Sequence, residues 1–529
     1  MPSNLRDSVR EVFTADLRSL GLMRILTGVG LLGDIIYRAR DLEAHYTDQG
    51  LVSLETARAL VKHFGWFSLH TLSGSYGYQL VLTTLFFIFA LMLTLGFMTR
   101  LAAPLCWLLF VSVQNRFFFG DYPGDYILTM LLLSGIFLPW GACFSIDARR
   151  RRARGEAAPA PRYRGLSAYA LFFLFAIFIS KTGLSKIAAG GRWLDGTALF
   201  CVLSAVRYSS RWLDWSLEYL GLLKTISYAV PWIETFFPVF FFLPWKNGAV
   251  RTAAIAACCV MFAGFQIGLD LHLLPYLAAT AYLGWLPPWF WERLLPRLSR
   301  RVSWTAAATP EVSSDSRLLP TSAHVYINNL MVGVVLTLNA THYYYKIGNF
   351  GYFSSPRTPP VLVDSTMNFL KIKNIYRMFS DPEVFEASDG WDVAPGELAS
   401  GRKINVFTGE ALSFERPGDL VASIRGFRWR QYLTLVNWYP TWNPKNITSY
   451  HAVESSKLRE DFVRFLCHQW NSAHEGPDRL VRVNLDMVVS PVRYGQPRVP
   501  PKVVELLDKA YACEAGTPPA SPGTLVVAP

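Results

Sequence analysis

Residues 79–98, QLVLTTLFFIFALMLTLGFM, run for twenty positions without a charged side chain. A helix of that length rises about 30 Å, the thickness of a bilayer's hydrocarbon core. A run so evenly apolar has no polar face to turn toward water. Comparable runs recur at about 20–37, 101–115, 126–145, 165–181, 229–244, 250–268, 272–289 and 324–342. That makes nine candidate spans. Composition agrees, since 51% of the 529 residues are hydrophobic and only 17% are charged, against about 25% charged in soluble domains. The expected fold is a polytopic α-helical membrane protein of about nine transmembrane helices, with the lipid bilayer as its first partner.

The net charge is +12, and +11 of it falls within residues 1–350. Nucleic-acid binding is the first class such an excess suggests, but loop positions account for it better. Arg149, Arg150, Arg151, Arg152, Arg154, Arg162 and Arg164 share one short loop, and Arg293, Arg297, Arg300 and Arg301 another. Loops of that kind stay cytoplasmic. With the N-terminus inside, both clusters come out cytoplasmic, and the C-terminal region comes out on the outer face of a plasma (inner) membrane. The short, broken apolar stretch at 183–224 is the weak point, because one more span there inverts everything downstream.

From about residue 346 the texture changes to short β-type runs punctuated by Gly, Pro and Asp, which read as hairpins. Leu458, Phe462, Leu466 and Trp470 fall at helical spacing. The expected division is a membrane domain over 1–345, a smaller extracytoplasmic α+β domain over 346–515 and a flexible tail over 516–529. Of seven Cys, Cys467 and Cys513 lie in that polar part and can pair if it is extracytoplasmic. No internal inverted repeat of the transporter kind is visible.

Ionisable groups at membrane depth are costly and count as functional candidates. Arg24, Asp34, Glu234, Lys181 and Lys186 qualify. Lys181, near a span end, reads as a snorkelling side chain. Arg24 and Asp34 lie ten residues and so about 15 Å apart along a helix; each needs a partner elsewhere, as a structural pair or as part of a site. The densest polar cluster is FISKTGLSKIAAGGRWLDGTAL, residues 178–199. Its glycines are expected to weaken a regular helix and to let backbone approach a ligand or a neighbouring helix. A lysine held in an apolar cavity sheds its proton more readily than one in water, so Lys186 is a candidate base. The plainer reading is that Lys186 neutralises Asp195 or a lipid phosphate. No phosphate loop, HExxH or zinc-spaced Cys pair is present in the sequence, and no metal is expected.

Several motifs, DIIYRARDLEAHYTDQG, GFMTRL, GDYILTMLLLSGIFLPWGACFSID and above all GLSKIAAGGRWLDGTAL, follow one another in an order that resembles the HTTM (horizontally transferred transmembrane) family. That is the membrane domain of vitamin K-dependent γ-glutamyl carboxylases and their bacterial relatives. The resemblance covers about residues 20–510. It implies a lysine, here Lys186, that deprotonates a reduced vitamin K or menaquinol-type quinone. Oxygen then yields a strong base, which removes a proton from an acid that adds carbon dioxide. Gly183, Trp193 and Gly196 match the same motif. Where the carboxylases carry a catalytic histidine, this chain has Asp125 within YPGDYIL, and its outer domain is smaller. The resemblance therefore implies a carboxylase-like lyase acting on a secreted peptide or small acid, with Asp125, Asp34 and Arg24 as pocket-forming charges. The rival expectation is a non-catalytic maturation or assembly factor for secreted proteins.

Overall fold

The computed structural model describes residues 9, 11–157, 161–209, 211–299, 322–347, 360–371, 388–438, 455–496, 499–507 and 509–513. Arg300 and Arg301 of the second arginine cluster and the tail 516–529 lie outside the described residues. The membrane part is built from α1 (Leu17–Ala39), α2 (Tyr76–Leu95), α3 (Thr99–Arg116), α4 (Pro123–Phe137), α5 (Leu166–Ala189), α6 (Leu220–Phe236), α7 (Asn247–Gly268), α8 (Leu274–Leu283) and α9 (Ser322–Ile347). Each of the nine apolar windows thus holds a helix. Five are long and apolar enough to cross a bilayer: α1, α2, α5, α7, and α6 continued through Val239–Phe242. The chain is a membrane protein.

Local signals set the helix ends. The Asp16 carboxylate accepts from the Arg18 N–H at 2.8 Å and opens α1. Gly96, at φ +67°, closes α2 in the left-handed conformation, and Phe97 N–H returns to the Met92 carbonyl at 2.9 Å. The short strands β1 (Ala15–Asp16) and β2 (Arg162–Tyr163) pair antiparallel and tie the start of α1 to the approach to α5. Leu80, Val81, Ile88 and Leu91 on α2 and Leu222, Ile233 and Phe236 on α6 are exposed. Such apolar faces are costly in water and favourable in lipid.

The segment expected to be broken by glycines is more regular than expected. Helix α5 runs through Gly183 to Ala189. Beyond it come only the short helices Gly191–Asp195 and Ala198–Ser204 and a 3₁₀ turn at Arg211–Glu218. Among the described residues, no helix able to span lies between α5 and α6.

The C-terminal part holds two antiparallel sheets. Strands β3 (Ser388–Val393), β7 (Asp486–Pro491) and β8 (Lys502–Glu505) form one in the order β3-β7-β8, with Trp391 opposite Val488. Strands β4 (Pro395–Leu398), β5 (Lys403–Asn405), β6 (Leu480–Val483) and β9 (Tyr511–Ala512) form the other in the order β5-β4-β6-β9. Helix α10 (Phe427–Leu433) faces the membrane bundle. Helix α11 (Ser455–Ala473) buries Leu458, Phe462 and Leu466 on one stripe, the face read from their spacing. A disulfide joins Cys467 of α11 to Cys513, just past β9.

Candidate functional site

Lys186 stands in the last turn of α5. The helix stays intact past Gly183 because the missing Cβ makes room for the backbone of α6: a Cβ there would lie 2.5 Å from the Pro231 carbonyl oxygen and the Thr235 nitrogen. Ser180 Oγ donates to the Thr235 carbonyl at 3.1 Å and fixes the same crossing. This close approach puts Glu234 opposite Lys186, with Nζ 2.7 Å from Oε2. Their side chains are only 3% and 7% exposed. The chain then reverses at Gly190 and Gly191, both at positive φ. The reversal folds Trp193 back so that its ring centroid is 5.1 Å from Nζ. Gly196, at φ +83°, sits where a Cβ would lie 2.6 Å from Lys224 Cγ on α6. Gly183, Lys186, Trp193 and Gly196 therefore belong to one hairpin of α5, turn and α6.

Asp195 accepts from Thr197, at 2.6 Å to Oγ1 and 2.8 Å to N; the acid beside Lys186 is Glu234. Lys181 is buried, at 4% exposure. A buried ammonium–carboxylate pair and the neutral amine–carboxylic acid pair carry the same total charge. Burial removes the hydration that favours the ionic form. The Trp193 face favours the ammonium.

A second ionic centre lies where the bundle meets the C-terminal part. Asp34 on α1 and Asp125 at the start of α4 share two guanidiniums. Arg38 Nε lies 2.6 Å from Asp34 Oδ2, and its Nη2 lies 3.0 Å from Asp125 Oδ1. Arg428 of α10 reaches in from the other side, with Nη2 2.5 Å from Asp34 Oδ1 and 3.0 Å from Asp125 Oδ1. Arg428 Nη1 adds bonds to Asp125 Oδ2 at 3.1 Å and the Gly120 carbonyl at 2.9 Å. Two positive and two negative charges balance. Next to this quartet, Lys371 Nζ pairs with Asp121 at 3.1 Å and lies 4.3 Å from the Trp66 ring centroid. Burial pushes the Asp121 carboxyl up to about 6, against the pull of Lys371. His272, stacked on Phe427 at 4.9 Å, is pushed down to about 4 by burial and then by the charge of Arg428.

Further bonds weld the same interface. Arg430 donates to the Arg207 carbonyl at 2.6 Å and to the Asp270 carbonyl at 2.7 Å, and Arg207 pairs with Asp392 at 3.3 Å. Arg24 has a different setting again. It is fully buried and donates to the carbonyls of Leu93, Thr94 and Phe144 at 2.8, 3.1 and 2.5 Å, closing the C-terminal end of α2. The candidate residues thus fall into three settings. Among the described residues, no hydrogen bond or ion pair joins Lys186 to Asp34, Asp125 or Arg24.

Two residues of the ionic centre at the junction, Arg38 and Arg428, lie outside the candidates that the sequence offers. Arg38 had a signal, standing one helical turn after Asp34. Arg428 had none, because an arginine in a polar segment is unremarkable until the fold inserts it into the bundle. Among the described residues, no group of three or more His, Cys, Asp and Glu side chains is arranged to hold a metal. A small apolar crevice lies between α4, α5 and α9, lined by Leu133, Phe137, Leu174, Val332 and Val335. Leu174 is roughly 18 Å along α5 from Lys186, so the crevice serves a different part of the helix. The chain matches no known family profile, no curated protein and no solved structure.

Proposed function

We propose that this chain is an HTTM-type, carboxylase-like membrane enzyme in which Lys186 is the base toward a lipid-borne quinol and Glu234 is its proton acceptor. The observation that carries the reading is the buried Lys186–Glu234 pair under the Trp193 ring. A quinol of the vitamin K or menaquinol type supplies an ionisable hydroxyl and, with oxygen, the driving force for a stronger base. Trp193 offers an aromatic face beside the amine, and Glu234 takes the ammonium proton so that Nζ is free to accept the next one. Both helices of the hairpin are long and apolar enough to face the bilayer from which a quinol would enter.

The proposed topology has nine spans, a cytoplasmic N-terminus and an extracytoplasmic C-terminal domain at the plasma (inner) membrane. The arginine-rich loops support that orientation, and so does the Cys467–Cys513 disulfide, since such bonds persist outside the reducing cytosol. The acceptor is then a peptide or small acid on the outer face.

The test is to give the detergent-purified protein reduced vitamin K and oxygen. Quinone epoxide is expected from the wild type, none from Lys186→Ala, and a reduced yield from Glu234→Gln. No epoxide from the wild type, or an equal yield from Lys186→Ala, overturns the reading.

A further inference from the structure

A residue that breaks a local backbone rule with no gain in packing marks a place where something other than folding selected it. The turn between α2 and α3 holds one. Met98 is the N-cap of α3, at φ +46° and ψ +46°, and its side chain makes no capping bond. Asparagine suits a left-handed cap better than methionine does, yet the position carries an apolar side chain that is 46% exposed. Phe144 repeats the pattern, with φ +50° and 53% exposure. The two flank one helix end, because the Arg24 guanidinium binds the carbonyls of Leu93, Thr94 and Phe144 together. The exposed apolar face of the membrane-crossing α2 continues through Leu91 and Leu95 to this turn.

Positive charge collects at the same end. The short helix Ile146–Ala153 buries none of its residues and is docked on the turn. The Asp147 N–H donates to the Gly96 carbonyl at 3.0 Å, and its carboxylate accepts from the N–H groups of Met98 and Thr99 at 2.9 and 2.8 Å. The helix's acid is thus engaged by backbone. Arg151 turns in to the Gly141 carbonyl at 2.7 Å, and Arg154 pairs with Glu156 at 3.4 Å. Arg149, Arg150 and Arg152 stay exposed, and none of them has an ion-pair partner among the described residues. The Arg150 guanidinium lies 4.6 Å from the ring centroid of Phe97, the residue before Met98.

We propose that the α2–α3 turn and the helix Ile146–Ala153 form a binding face for anionic phospholipid. Arg149, Arg150 and Arg152 meet the headgroup phosphates, and Met98 and Phe144 enter the adjoining acyl chains. Guanidiniums without counter-ions suit phosphate, and basic residues beside a spanning helix draw anionic headgroups. Apolar tips in a left-handed backbone carry a local cost that burial in lipid offsets. A soluble polyanion such as RNA would use the arginines and gain nothing from the two tips. The face is separate from Lys186 and stands or falls by lipid binding, whether or not a quinol is turned over.

The full chain in detergent is mixed with equimolar phosphatidylglycerol and phosphatidylcholine, and the retained lipids are counted by native mass spectrometry. Phosphatidylglycerol is expected to be retained in preference. The combined variant Arg149→Gln, Arg150→Gln, Arg152→Gln should cut that preference at least about fivefold, the equivalent of one arginine's attraction to an anionic surface. Met98→Asn accepts the left-handed backbone and supplies a better cap, so it should melt no lower than the wild type in detergent while retaining less phosphatidylglycerol. Glycerol 3-phosphate, the headgroup phosphate without its chains, should not displace the lipid at equal concentration, nor should an RNA oligonucleotide. Equal retention of the two lipids by the wild type, a preference that survives the triple substitution, undiminished retention in Met98→Asn, or displacement by either soluble anion overturns the proposal.

Discussion

The hairpin of α5 and α6 and the junction between the bundle and α10 each bury an ionic centre, and the two are built differently. In the quartet at the junction every charge has two partners: Asp34 and Asp125 are each held by both Arg38 and Arg428. A guanidinium does not release its proton in a protein, so the junction holds its charges fixed and acts as a clamp. In the hairpin one lysine meets one carboxylate under one indole ring. Under the proposed function, the hairpin is the centre at which a proton moves. Burial alone does not separate the two centres; the kind of cation and the number of its partners do.

The sharpest way to break this contrast is Arg428→Met. It leaves two buried aspartates to share Arg38, and removing one member of a buried ionic group costs about 5 kcal/mol at the upper end. The expected result is loss of folded protein, or a C-terminal part that trypsin cuts freely while the membrane helices stay protected. Unchanged stability and protease resistance would show that the clamp lies elsewhere in the interface. In the hairpin, Lys186→Met leaves Glu234 buried without a cation and should cost about 3 kcal/mol. Adding Glu234→Leu should recover most of that loss, because replacing a buried pair by apolar groups is close to neutral. Epoxide formation should stay absent in both variants. If the double variant is as unstable as the single one, the pair holds the hairpin together and is not poised for proton transfer.

These two centres were unequally legible. The apolar runs announced the helices, because lipid selects length and charge exclusion directly. The cluster at 178–199 announced Lys186, and Glu234 stood out as an acid at depth. What spacing could not supply was the pairing: Glu234 lies 48 residues from Lys186, and only the close crossing at Gly183 brings them together. Gly183 reads in the sequence as a helix weakener and is instead a contact point between two intact helices. Asp34 and Asp125 were visible as charges in apolar company. Their shared partner was not, because Arg428 lies 303 residues past Asp125 in a segment whose polarity looks ordinary. Sequence marks a buried charge by its neighbours in the chain, whereas the fold supplies its counter-charge from anywhere.

The Cys467–Cys513 disulfide separates the clamp from the internal stability of the domain it clamps. It closes a loop of 46 residues between α11 and the end of β9, a constraint worth about 2–4 kcal/mol. Cys467→Ser should lower the melting temperature of the C-terminal part, read as earlier loss of protease resistance at 460–513, while the Arg428 bonds still hold the junction. If the same variant also releases the whole C-terminal part from the bundle, the disulfide and the clamp form a single cooperative unit.

The smallest expected effect tests the junction's electrostatics. His272 binds a proton at about 4 in the folded protein, against an ordinary 6.5. Between those values the unfolded chain holds more protons than the folded one. This ring therefore contributes stability that is fully present above about 6.5 and is lost as the pH falls toward 4. At pH 6 the loss is about 1 kcal/mol. Asp121, pushed up to about 6, has the opposite slope below that value, so the wild-type profile blends the two. The informative quantity is the difference between wild type and His272→Asn, chosen because asparagine tolerates the left-handed backbone found at His272, φ +52°. Between pH 7 and 5 the variant should lose less stability than the wild type, whatever its absolute melting temperature. Parallel profiles would mean that His272 takes up its proton without strain against Arg428. The junction would then tolerate added charge, and the fixed clamp and the movable pair would no longer be different in kind.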